Sequence, residues 1–162
     1  MKLYRISNEA KEYWETWEEA PGRHRVHWGD LGTKGQSKIV KSTFMRKAER
    51  TVQKEIDEHV MRGFNPIVPE DHANLMIEYQ IDGMGSEDNL AKRHQLEDRM
   101  NETLGWAGLG ACDGGSIGSG TMEVCTFVVD FELAKKVVEA DLADTEFADY
   151  SRIYRENDEE LV

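Results

Sequence analysis

The apolar residues of this chain change their spacing once in its first third, and that change limits the folds open to it. Between residues 2 and 41 they recur in steps of two, as in a strand with one buried face; from Phe44 to Val60 they recur in steps of four. Residues 11–18 (KEYWETWE) set Tyr13, Glu15 and Trp17 against Trp14, Thr16 and Glu18, and are rich in aromatic strand formers. Pro21-Gly22 marks a turn, after which His24, Val26 and Trp28 point one way and Arg25 and His27 the other. Residues 2–7 open the chain as a short strand, and residues 36–41 (QSKIVK) make a fourth. An antiparallel meander follows from strands joined this closely. Ser42 is placed to cap a helix whose buried stripe is Phe44, Ala48, Val52, Ile56 and Val60. Gly63 stands where a C-terminal cap belongs, and Asn65-Pro66 forbids continuation.

The second half has another rhythm. Residues 72–81 (HANLMIEYQI) form a strand, and Ser86 caps a helix carrying Leu90, Leu96, Met100 and Leu104 and closed by Gly105. Strands at 106–117 and 121–130 flank Gly118-Ser119-Gly120, a hairpin signal. Asp130 caps a helix with Leu133, Ala134, Val137 and Val138 inside, and residues 150–155 give a last strand. Strand, helix, strand, strand, helix, strand is the order of a ferredoxin-like fold. The expected class is therefore α+β: an antiparallel sheet with one long helix over 1–66, a linker at 67–71, and a ferredoxin-like βαββαβ domain over 72–162. Residues 156–160 (ENDEE) read as a solvated end.

Charge divides the chain at the same place. Residues 1–66 hold 13 Lys and Arg against 10 Asp and Glu, a net of +3; residues 67–162 hold 7 against 22, a net of −15. The two halves differ enough to imply two electrostatic roles, the acidic one suited to a basic partner. No apolar run approaches the ~18 residues of a membrane span, and the charged N-terminus lacks a secretory core, so a cytoplasmic protein with no membrane partner is expected. Cys112 and Cys125 are expected as reduced thiols. They would face each other across the hairpin if Gly118 and Ser119 formed its turn.

One stretch carries more. Residues 27–36 (HWGDLGTKGQ) place Trp28, Gly29, Leu31, Gly32, Thr33, Lys34, Gly35 and Gln36 in a pattern that resembles the WGR domain. That domain is known from DNA-dependent poly(ADP-ribose) polymerases and from bacterial proteins related to a molybdate metabolism regulator. The resemblance covers about residues 1–66 and includes the tryptophan-rich strand before the motif and the long helix after it. It implies a surface where the tryptophan ring meets a DNA end and the motif's arginine joins domains or a phosphate. Here that third position is Asp30, which reverses the charge and would repel a phosphate. The candidate nucleic-acid or partner-binding residues are Trp28, Lys34, Gln36, Lys38 and Arg25, with Arg23 and Lys41 close by on the same strands. The alternative for Trp28 is a packing role between helix and sheet.

Other chemistry is missing from the sequence. The glycines of residues 108–120 fit neither the Walker nor the Rossmann spacing, and read as a bulged hairpin. His24, His27, His59, His72 and His94 have no metal-ligand spacing, and Asp82 and Asp88 do not fit a calcium loop. With no nucleophile beside a base and no cofactor motif, the chain reads as a non-catalytic binding or regulatory protein whose first module contacts either nucleic acid or a protein. The alternative is an inhibitor- or immunity-type factor whose acidic second module covers a basic protein.

Overall fold

The computed structural model describes residues 1–156. Residues 157–160 of the acidic tail lie outside the described residues. The fold is mixed α+β, with two antiparallel four-stranded sheets and three α-helices among the described residues. The chain divides into two units, Met1–Val68 and a second beginning at Pro69. Among the described residues no helix is long and apolar enough to cross a membrane.

In the first unit β1 (Lys2–Ile6), β2 (Lys11–Ala20), β3 (Arg23–Asp30) and β4 (Gln36–Lys41) pair in sequence order. The register aligns Leu3, Trp14 and Trp28 across three strands, and Val26 opposite Thr16 and Lys38. Because side chains alternate, these residues share one face, and Tyr13, Glu15, Arg25 and His27 share the other. Helix α1 (Ala48–Met61) lies on the first face. Leu3, Trp14, Val26, Val52 and Phe64 form the core there, with Trp28, Val40 and Ile56 packed against it. Each such side chain contributes about 1.5–3 kcal/mol by leaving water.

The helix is shorter than its stripe suggested. It begins at Ala48, not after Ser42, because Thr43 closes a turn with Arg46: Thr43 N–H donates to the Arg46 carbonyl (2.8 Å) and Arg46 N–H to Thr43 Oγ1 (3.2 Å). Ser42 still receives a helix N–H, that of Ala48, at 2.9 Å. Phe44 is therefore fully exposed, and Val60 is half exposed. Steps of four advance the helix about 40° too far each time, so a stripe five members long turns off its own face. Ala48 and Val52 stay buried. Beyond the C-cap the Phe64 N–H reaches the His59 carbonyl and Gly63 N–H that of Val60, a Schellman motif with Gly63 at φ +88°.

The second unit holds β5 (Ala73–Gln80), α2 (Glu87–Trp106), β6 (Gly110–Gly118), β7 (Thr121–Val128), α3 (Phe131–Leu142) and β8 (Arg152–Arg155). Its sheet runs β6-β7-β5-β8. Leu75, Ile77, Met122, Val124, Val128 and Ile153 share one face of it, and Leu96, Met100, Leu104, Phe131, Ala134, Val138 and Leu142 are the buried residues the helices bring.

Four expectations need correction here. Helix α2 does not stop at Gly105 but runs through it to Trp106, so Trp106 is no strand residue. The Schellman bonds from Leu109 to Leu104 and from Gly108 to Gly105 place the left-handed residue at Gly108. Leu90, one turn into α2, is largely exposed rather than buried. In α3 the fully buried positions are Phe131, Ala134, Val138 and Leu142, with Leu133 and Val137 half-buried at the margins. The hairpin turn is Ser119-Gly120, both at positive φ, with Gly118 opposite Thr121. A bulge between Cys112 and Gly114 then sets Cys112 against Thr126 and Gly114 against Cys125, so the two cysteines are not opposite each other. Both thiols are free, and Cys112 Sγ donates to the Cys125 carbonyl at 3.4 Å.

Candidate binding site

Leaving β3, the chain turns at Leu31 to Gly35 and folds back under its own strand. Gly35 makes this possible: it has φ +57°, and a Cβ there would stand 2.2 Å from the Trp28 carbonyl oxygen and 2.4 Å from the Tyr13 hydroxyl. The returning backbone caps a buried polar cluster. Tyr13 Oη donates to the Thr33 carbonyl (3.1 Å), and His27 Nε2 lies 2.8 Å from the Lys34 carbonyl and 3.0 Å from Tyr13 Oη. On the other side of the ring, His27 Nδ1 meets Glu15 Oε1 at 2.7 Å. Tyr13 and His27 are each 1% exposed, so these bonds leave little of the cluster open to water. Burial, with Glu15 and Asp30 nearby, pushes the Tyr13 hydroxyl up to about 12, and it remains a donor at neutral pH.

That anchored loop presents Trp28-Gly29-Asp30 to a cleft of about 470 Å³ on the helix face of the sheet. Trp14, Trp28 and Phe64 supply its aromatic walls, and Glu55, His59 and Arg62 enter from successive turns of α1 and its C-cap. His59 stacks on Trp14 at 4.9 Å, meets Phe64 edge-on at 5.0 Å, and has Nδ1 2.7 Å from the Glu55 carbonyl. Lys38 Nζ pairs with Glu55 (2.8 Å) and lies 5.7 Å from the centre of the Trp28 ring. Glu12, also in the cleft, is bound by Arg5. Among the described residues no partner is found for the Asp30 carboxylate, and Arg62 has only the Phe64 ring, 5.7 Å away. The cleft thus offers an aromatic floor with one uncommitted anion and one uncommitted cation at its edges.

The residues singled out in the sequence do not share one surface. Trp28, Gln36 and Lys38 lie on the cleft side; Trp28 and Gln36 are cross-strand partners and also line a shallower depression of about 360 Å³ with Asp30 and Gly35. Lys34 is exposed in the loop. Arg25 points to the opposite face, bound to Glu19 and donating to Ser37 Oγ at 3.1 Å. Arg23 joins Glu19 as well (3.0 Å), and Arg25, the first of the two, holds the Glu19 carboxyl below its ordinary value. Sequence reasoning missed Glu55, His59 and Arg62, although spacings of four and three on one helix put them on one stripe. It also missed the Tyr13–Glu15–His27 cluster, for which the period-two alternation was the available signal.

Among the described residues, none that lines the cleft is a serine, threonine or cysteine. Comparison with models of known families, with curated proteins and with solved structures finds no match.

Proposed function

We propose that this is a non-catalytic binding protein whose first unit is a WGR-like recognition module. Its cleft beside Trp28 takes a segment of a partner protein in which an apolar side chain neighbours a lysine or arginine. The observation that carries this reading is the pairing of a half-buried tryptophan with an Asp30 carboxylate that has no partner among the described residues, at the edge of an aromatic cleft. A planar aromatic floor suits an apolar anchor, and tryptophan and arginine are the residue types that dominate interface energetics. A phosphate backbone fits less well: Asp30, Glu12 and Glu55 border the cleft, while Lys38 and Arg25 already answer to glutamates. The net −15 of residues 67–162 favours the same class of basic partner through faster encounter. The strand order β6-β7-β5-β8, with βαββαβ connectivity, supports a ferredoxin-like reading of the second unit.

The test is an array of immobilised peptides that pair Trp, Leu or Phe with Lys or Arg, probed with the full chain and with Trp28→Ala and Asp30→Asn. Binding that depends on both residues supports the proposal; binding indifferent to both overturns it.

A second reading, contact with nucleic acid, rests on Lys34, an exposed ammonium without a partner among the described residues and two positions from Gln36. It predicts affinity for nicked or blunt duplex that falls with salt, weakens in Lys34→Glu and strengthens in Asp30→Arg. Absence of binding at low salt removes it.

A further inference from the structure

We propose that Glu18, His24 and Glu49 form a binding site for a divalent transition-metal ion, zinc being the natural occupant of such a ligand set. The site is separate from the Trp28 cleft and does not depend on the function proposed for it. Glu18 and His24 stand directly opposite each other on β2 and β3, on the face that α1 covers, and Glu49 is the second residue of α1. One ligand atom from each of the three lies within 4.8 Å of the others. They line a depression of about 340 Å³ whose remaining walls include Val52, Ile56 and Trp17.

The independent observation is at His24. Its Nε2 is buried and has no hydrogen-bond partner among the described residues. A buried imidazole nitrogen without a partner is costly, and an ion or ordered water is the usual resolution. An imidazole with two carboxylates is a donor set that zinc accepts, with water completing four-coordination. Ligands about 2.1 Å from a tetrahedral ion are about 3.4 Å apart. The set therefore has to close by at most about 1.4 Å, which two glutamates with exposed side chains can do by rotamer change alone. Glu18 is already partly oriented: its Oε1 accepts the Gly22 N–H at 3.3 Å, leaving Oε2 for the ion. Two carboxylates also offset the positive end of α1, which by itself disfavours a cation. Occupancy would tie the start of α1 to the β2–β3 hairpin, so zinc would bind the folded first unit and not the unfolded chain.

The experiment is a calorimetric titration of the chelator-treated full chain with Zn²⁺, repeated with Co²⁺ in the visible. In parallel, the histidine ring signals are followed by NMR. One ion per chain is expected, with the His24 ring signals perturbed and those of His94 unchanged. His24→Ala and Glu49→Gln should each weaken binding at least about tenfold. Glu49→Gln alters an exposed helix position, so its loss of binding cannot be ascribed to misfolding; circular dichroism checks His24→Ala. Failure to observe saturable binding overturns the proposal. So does binding that leaves the His24 signals unmoved or survives both substitutions.

Discussion

Substituting Gly35 by alanine should damage the first unit more than any other single methyl group added to it. The new Cβ would stand 2.2 Å from a backbone oxygen and 2.4 Å from a hydroxyl that is buried and bonded, so no flexible side-chain end can simply swing away. Holding alanine at positive φ costs about 1–2 kcal/mol. Shifting packed backbone costs about 1–3 more. If the loop lifts, the bonds from Tyr13 to the Thr33 carbonyl and between His27 and the Lys34 carbonyl are lost, at about 1 kcal/mol each. Alanine's stiffer unfolded chain returns somewhat under 1 kcal/mol. The net loss is about 3–6 kcal/mol, a fall of at least about 12 °C in the melting midpoint of so small a unit. Tryptophan fluorescence reads it well in a Trp106→Phe background, since Trp14, Trp17 and Trp28 all belong to the first unit. Gly63→Ala is the control: it also has positive φ, but nothing lies within 4 Å of its Cβ position. If Gly35→Ala loses no more stability than Gly63→Ala, the loop is not seated on Tyr13 and Trp28 as described.

His27→Ala leaves the Glu15 carboxylate and the Lys34 carbonyl without their buried partner; a loss of about 3 kcal/mol in urea unfolding is expected, with faster proteolysis in residues 31–35. Arg152, which donates to Glu78 Oε2 at 2.7 Å, is the main reason the Glu78 carboxyl sits below its ordinary 4.5. Its contribution is therefore complete above that value and lost as pH falls through the lowered one, so Glu78→Gln should flatten the acid limb of a stability–pH profile. Burial pushes the Cys125 thiol up to about 11 from 9.0, and alkylation at pH 8 should run on the order of a hundredfold slower than for an unperturbed cysteine. Mass spectrometry of the timed reaction checks this.

What the sequence revealed followed from periods and punctuation. Alternation in residues 11–18 and 23–30 places Trp14, Val26 and Trp28 on one face because strand geometry leaves no other choice. Ser86 and Asp130 declare their helices by accepting N–H groups three residues on, a local bond that needs no tertiary information. Misplaced boundaries arose where two signals competed. Thr43 preferred its own turn to the helix, and Gly105 resembled a cap although Gly108 has the left-handed backbone. The glycines announced a bulged hairpin, and the bulge falls between Cys112 and Gly114; only the turn, at Ser119-Gly120, lies one residue beyond the position considered for the cysteine pairing. The cleft was legible only in part. Trp28 announced itself through its glycines, whereas Arg62 and Phe64 reach it because α1 ends there. The set of Glu18, His24 and Glu49 comes from three elements and has no spacing to detect.

The Trp28 indole N–H offers the most direct reading of the proposed function. In a ¹⁵N-labelled full chain its resonance can be followed while a Lys/Arg-aromatic peptide, and separately a nicked duplex, is added at physiological salt. The proposed peptide-binding role predicts that the peptide shifts the Trp28 signal, that Asp30→Asn weakens the shift, and that the duplex leaves it in place. A salt-sensitive shift on adding the duplex, with none from the peptide, would contradict it.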